Sequence, residues 1–292
     1  MTVGVIGATG PTGRALVARF CEADSRVVAV GRSAARLAEL DPRAETREAD
    51  LDAVEDLAPV FADFDQAIVG APDLYYEHIL AALPETCGVV VLLGSTRRFT
   101  RFPSHETERM SRFEAEWRNG PRNGALLQCA MVFGPPRDRN ISRLIAFIRG
   151  WVGWFPVVAP LPLGGRSLVQ PIFREDCVEA VLAAFERCRD GPSVITVAGP
   201  EALPMREVVK ACAGALGRRV WIIGVPTGLL LGVARLAVAA RLANPRLPDQ
   251  LRRLTEDKAF DIGEMHARLG VDPRPFSEGL RLTLEACKSR AA

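Results

Sequence analysis

The chain has 292 residues, 48% of them apolar and a quarter charged, with a formal net charge of +2. That length buries a large core, either as one large domain or as a nucleotide-sized domain with a smaller partner. The near-neutral balance carries no basic footprint, so nucleic acid is not an expected partner.

Val3, Val5 and Ile6 open the chain as a short β-branched strand. Three glycines follow, Gly7, Gly10 and Gly13, spaced G-x-x-G-x-x-G, with Thr9, Pro11 and Thr12 between them. Arg14 to Phe20 then has helical periodicity, with Leu16, Val17 and Phe20 on one face. Strand, glycine loop and helix in this order form the context in which such a pattern cradles a dinucleotide. Gly7 allows the tight turn, Gly10 lets backbone N–H groups approach a pyrophosphate, and Gly13 lets the helix pack on the sheet. The helix N-terminus adds unpaired N–H groups and a partial positive charge. The competing reading is an ordinary strand-to-helix turn.

Val27 to Val30 is a second strand, ending in Gly31-Arg32-Ser33, with a helix from Ala34 to Leu40. Ala44 to Ala49 is a third, closed by Asp50-Leu51-Asp52, and Ala53 to Phe61 is helical. Gln66 to Val69 is a fourth, ending in Gly70-Ala71-Pro72, before a helix from Leu74 to Leu83. Gly88 to Leu93 is a fifth, ending in Gly94-Ser95-Thr96, followed by a polar helix from His105 to Arg118. Ala125 to Ala130 is the sixth. Apolar strands alternating with helices predict an α/β fold, a doubly wound parallel Rossmann sheet covered on both faces. Ligands of such sheets sit beyond the carboxyl ends of the strands. Gly31-Arg32-Ser33, Asp50-Leu51, Gly70-Ala71-Pro72 and Gly94-Ser95-Thr96 all fall there.

After Phe133-Gly134-Pro135 the character changes. Ile141 to Arg149 is helical, and Trp151 to Phe155 is an aromatic segment that reads as small-domain core, as a lid, or as a peripheral membrane contact. Glu175 to Arg187 is helical, Val194 to Val197 a strand, and Met205 to Leu216 a helix stopped by Gly217. Val220 to Ala234 is the longest apolar stretch, too short to span a bilayer. It is expected to be a buried strand followed by a helix. The domains are expected at 1–135, dinucleotide-binding, and 136–292, a smaller and mostly helical substrate domain interleaved with the sheet around 166–200. The seven scattered cysteines contain no C-x-x-C and read as reduced thiols. With the first strand beginning at the second residue, no signal peptide is expected and the localisation is expected to be cytoplasmic. His78, His105 and His266 have no metal spacing.

Taken together, these motifs resemble the short-chain dehydrogenase/reductase superfamily in its extended and atypical branches. Gly7 to Gly13 resembles the nucleotide loop, and Asp50-Leu51 the acidic pair that holds adenine. Ala130 to Pro136 resembles the segment closing over the nicotinamide. Val169 to Cys177 resembles the late motif before the helix joining the two domains, and Ala198 to Glu201 with Met205 to Val209 the entry of the small domain. The nearest group includes NmrA-like regulators and the 39-kDa accessory subunit of respiratory complex I. The resemblance implies a catalytic tyrosine with a lysine four residues on, and here the chain departs from it. Its two tyrosines, Tyr75 and Tyr76, have no such lysine, and the helix of Glu106 to Glu116 holds Arg109 and Arg112 instead. Arginine stabilises anions but shuttles protons poorly.

Ser95 and Thr96 match the active-site hydroxyl position; they either polarise a substrate carbonyl or cap the next segment. Arg97, Arg98 and Arg101 either clamp an anion or form a solvated loop. For the cofactor, NAD-specific loops carry an acid at the end of the second strand, whereas this chain has Arg32 and Ser33 there and no carboxylate until Glu39. NADP(H) is therefore expected over NAD(H), with Gly31 leaving room for the 2′-phosphate. Against this, Arg32 in solvent or stacked on adenine would leave the site indifferent. Three functions stay open: an NADPH-dependent reductase of a small carbonyl or quinone-type substrate, a non-catalytic NADP(H)-binding sensor or structural subunit, and a sugar-nucleotide epimerase-like enzyme.

Overall fold

A computed structural model describes residues 1–135, 138, 140–151, 155–245 and 247–289. The first half alternates strands and helices. β1 (Thr2–Ile6) leads to α1 (Pro11–Glu22), β2 (Arg26–Gly31) to α2 (Ala34–Leu37), and β3 (Glu45–Glu48) to α3 (Leu57–Phe61). β4 (Gln66–Val69) leads to α4 (Tyr76–Ala82), β5 (Val89–Ser95) to α5 (His105–Arg118), and β6 (Gly124–Cys129) follows. The helices expected over Ala53 to Phe61 and Leu74 to Leu83 each begin as a 3₁₀ turn, at Val54–Asp56 and Asp73–Tyr75.

The second half runs β7 (Met131–Phe133), α6 (Ile141–Arg149), β8 (Val157–Pro162), β9 (Leu168–Val169), β10 (Pro171–Phe173) and α7 (Arg174–Arg187). It continues with β11 (Pro192–Val197), β12 (Leu203–Pro204), α8 (Met205–Ala215), β13 (Val220–Val225), α9 (Thr227–Ala239), α10 (Leu247–Arg253) and α11 (Phe276–Ser289). Gly217, at φ +67°, ends α8 in the left-handed conformation a helix stop needs.

One seven-stranded sheet has the order β11-β6-β5-β4-β1-β2-β3, and every pairing in it is parallel. Alternation along the strands splits the core. Val3, Val5, Val27 and Leu127 pack with α1 and α7 on one face, while Val28, Val30, Leu92 and Leu126 pack with Phe61, Ile79 and Trp117 on the other. A third cluster joins Phe133, Ile145, Val157, Val208, Phe276 and Leu280 in the second half. The strand order reverses between β1 and β4, so a crevice opens at their carboxyl ends.

The apolar stretch Val220 to Ala234 departs from expectation. It does form a strand and a helix, but neither is buried: Trp221, Ile223, Leu229 and Val233 are exposed, and Ala234 alone in α9 is buried. Apolar composition by itself cannot report whether a partner surface exists to cover it. In the aromatic segment, 152–154 lie outside the described residues, as does Pro136 of the segment after β6. Trp151 packs edge-on against Phe147 at 6.0 Å, and Phe155 is exposed.

Candidate nucleotide site

The glycine loop sits in the β1/β4 crevice. Gly7, at φ +82°, is turned so that a Cβ there would lie 2.9 Å from the carbonyl of Gly70. Its N–H and that of Ala8 both donate to the Val30 carbonyl, at 3.0 Å. Gly13 faces inward, where a Cβ would stand 2.5 Å from the Gly7 carbonyl oxygen and 2.8 Å from the Ala8 Cα. Gly10 differs: its Cβ would meet only the Gly7 oxygen, at 3.3 Å. Gly10 is also the N-cap of α1, with no side chain capping the helix, and Pro11 follows in the first turn with Thr12. The loop therefore offers an open cradle above bare helix N–H groups, which fits a pyrophosphate.

Arginines surround the adjoining end of β2. The Thr9 carbonyl accepts from Arg36 Nη2 at 2.9 Å and from Arg14 Nε at 3.3 Å, and Arg14 Nη2 also pairs with the exposed Glu39 at 2.8 Å. Arg32 is exposed. Ser33 caps α2, its hydroxyl accepting the Arg36 N–H at 3.4 Å. Gly31 does not leave open space: a Cβ would lie 3.0 Å from Thr9 Cγ2 and 3.3 Å from Leu37 Cδ2. Its small size lets the loop and α2 close on the strand. Beyond β3, Asp50 is exposed and accepts the Asp52 N–H at 3.2 Å, while Leu51 is buried with Val28 and Val30. At the end of β4 the Gly70 N–H donates to the Ile6 carbonyl at 2.8 Å, Ala71 is buried and Pro72 is exposed.

The end of β5 is tied into the chain itself. Gly94 abuts Gln128, whose Oε1 would stand 2.9 Å from a Cβ. Ser95 Oγ accepts the Arg97 N–H at 3.3 Å, and Thr96 Oγ1 donates to the Cys129 carbonyl at 3.4 Å. Arg97 pairs with Glu106 at 2.6 Å, and Arg98 with the buried Glu114. Those two arginines are thus held by carboxylates from α5. Arg109 on the same helix pairs with Asp73 at 2.8 Å. Tyr76 is fully buried and donates to the Leu93 carbonyl at 2.8 Å; burial pushes its pKa far up. A hydrogen bond to Asp52 raises the pKa of Tyr75. No group of metal-ligating side chains occurs among the described residues.

One residue had no signal in the sequence. Glu256 is buried, yet its carboxylate accepts from Thr100 Oγ1 at 2.7 Å and from the Arg101 N–H at 2.5 Å, 155 residues away. It holds the loop after Ser95 and Thr96 against the second half of the chain. Nearby Lys258 Nζ donates to the Arg253 carbonyl at 2.9 Å, and burial lowers its pKa. Glu256→Ala leaves both donors unmatched and is expected to cost about 2–3 kcal/mol, since hydrogen bonds to charged groups are worth about 1.5–3 kcal/mol. Urea denaturation measures this, and Glu256→Gln, which keeps one acceptor, should recover part of it.

A family model described as NAD(P)H-binding matches residues 7–72, the span from the glycine loop to the end of β4. No curated protein matches the sequence significantly. Among solved structures, a UDP-glucose 4-epimerase from Thermotoga maritima, with UDP-glucose, superposes at TM-score 0.74 and 14% identity over 100% of both chains. MoeE5 in complex with UDP-glucose and NAD gives 0.73 and 19% over 100% of both chains. A UDP-N-acetylglucosamine 4-epimerase from Bacillus cereus gives 0.72 and 12% over 99% of this chain and 96% of the other. Residues 7–72 thus match an NAD(P)H-binding family model, and along its whole length the chain shares the fold of these solved sugar-nucleotide epimerases.

Proposed function

We propose that this protein is an NADPH-dependent reductase of a small carbonyl or quinone-type substrate, working without a Tyr–Lys pair. The observation that carries the reading is the open Gly10 cradle, beside which Arg14 and Arg36 hold the Thr9 carbonyl, with Arg32 exposed just after β2 and no acid following it in the chain before Glu39, which pairs with Arg14. Arginine guanidinium groups suit a 2′-phosphate, which an acid there would repel. NADPH, when bound, supplies the hydride. The chain's own task is then to hold the cofactor at Gly7, Thr9, Gly10, Pro11, Thr12 and Gly13 and to shape the substrate cleft. Asp50, Leu51, Gly70, Ala71, Pro72 and Gly94 flank that cleft at the strand ends. Ser95 and Thr96 are the hydroxyls nearest in sequence to it; either can turn from its internal bond to a substrate oxygen.

One observation favours a second reading, an NADP(H)-binding module without turnover. Both candidate hydroxyls are engaged within the chain, Tyr76 donates to the Leu93 carbonyl, and Asp52 raises the pKa of Tyr75. Epimerase chemistry on a sugar nucleotide is the third reading, and it rests on fold likeness alone. A screen of NADPH oxidation against quinones, aldehydes and ketones, with UDP-sugars assayed for epimerisation, separates the three. Turnover of a carbonyl or quinone supports the reductase; tight NADPH binding with no turnover supports the module.

Cofactor choice has its own test. Arg32→Ala should weaken NADPH by about tenfold to a hundredfold, the worth of one charge-assisted hydrogen bond, and leave NADH nearly unchanged. Calorimetry on parent and variant reads both. A parent that prefers NADH, or equal weakening of both cofactors, overturns the NADP assignment.

A further inference from the structure

Helix α9 has thirteen residues and a single charge, Arg235. A helix apolar all round ordinarily lies in a protein core or a membrane. This one packs chiefly against α10 and buries only Ala234. Leu229, Val233 and Leu236 recur at i, i+4 and i+7 on one stripe, and they are 60%, 60% and 72% exposed. No atom lies within 4 Å of where a Cβ of Gly228 or Gly232 would sit, so the face is bare. Leu242, 84% exposed, follows the helix, and β13 just before it exposes Trp221 and Ile223 at alternate positions. No helix among the described residues is long and apolar enough to cross a membrane.

The charges say what can cover this face. Residues 227–253 hold Arg235, Arg241, Arg246, Arg252 and Arg253 against one acid, Asp249. Arg235 and Arg241 are exposed on the hairpin. A second copy docking face to face would repeat the same patch and set arginine against arginine. An anionic lipid surface complements them, and a helix lying in the interface gains from both apolar area and basic charge. We propose that the α9–α10 hairpin docks this protein on an anionic membrane surface. The Leu229–Val233–Leu236 stripe enters the acyl boundary while Arg235 and Arg241 reach the headgroups, their stems lying along the apolar layer. This inference is independent of the cofactor and of turnover.

The test is cosedimentation of the full chain with phosphatidylcholine vesicles, with and without phosphatidylglycerol. The parent is expected to sediment with the phosphatidylglycerol vesicles and to release at high salt. Arg235→Gln and Arg241→Gln should each weaken binding about fivefold, as one basic residue near such a surface is worth. Leu229→Asp with Leu236→Asp should abolish it; Leu229→Gln with Leu236→Gln serves if the acidic pair fails to fold, and near-ultraviolet circular dichroism reports folding. A parent that stays in the supernatant with both vesicle types overturns the proposal. So does a dimer, by analytical ultracentrifugation, that these substitutions dissociate, because the face would then be covered by a second copy.

Discussion

Gly10→Val should lose NADPH binding by more than about a hundredfold while the protein stays folded. The backbone at Gly10 has φ −72° and ψ 161°, which valine adopts without strain. The added side chain meets the Gly7 oxygen and otherwise projects into the open cradle. It would occupy the volume where a pyrophosphate must approach the α1 N-terminus, and two charge-assisted hydrogen bonds lost there amount to about 3–6 kcal/mol. Gly13→Val is the contrasting control. Its Cβ would stand 2.5 Å from a backbone oxygen that cannot move without breaking the β1 turn, so that variant should unfold. Fluorescence titration with NADPH and a thermal melt on each variant measure both effects. A Gly10→Val protein that binds like the parent removes the basis of the nucleotide reading.

Glu114→Ala should cost about 3 kcal/mol of stability, the low end for breaking a buried charge pair. Glu114 is 5% exposed and its carboxylate gathers Arg98, Arg118 at 3.1 Å and the Gln128 amide at 3.1 Å. Arg98 and Arg118 retain access to water, which places the cost at the low end. Gln128 is 2% exposed and would keep an unmatched amide against Gly94. Urea unfolding of the parent, Glu114→Ala and Glu114→Gln measures this, with the glutamine variant expected between the other two. A loss under about 1 kcal/mol would mean that the network adds little beyond packing.

Parts of the site were legible because they obey local rules. The roles of Gly7 and Gly13 follow from a tight turn and a close helix approach, and the structure supplies the contacts that a Cβ would violate. Strands such as Gln66–Val69 and helices such as His105–Arg118 were readable to the residue because each is an apolar run or an amphipathic segment bounded by loop residues or a capping serine. The close packing of Gly31 was not legible, because its neighbours Thr9 and Leu37 come from other segments. The partners of Arg97 and Arg98 were equally out of reach of the sequence: their carboxylates, Glu106 and Glu114, lie on α5 beyond an intervening loop.

The sequence by itself determined the layered α/β architecture, the nucleotide loop and the absence of a Tyr–Lys pair, because periodicity, glycine spacing and residue identity are properties of short stretches. Only the tertiary structure decided the long-range facts. Glu256 grips the Thr100–Arg101 loop from 155 residues away, Tyr76 is sealed under Leu93, and β11 completes the sheet beside β6. It also decided that much of Val220 to Ala234, apolar enough for a core, stays exposed. Burial depends on what the rest of the chain brings to a surface, and here α10 covers one side of α9 and leaves the leucine stripe open.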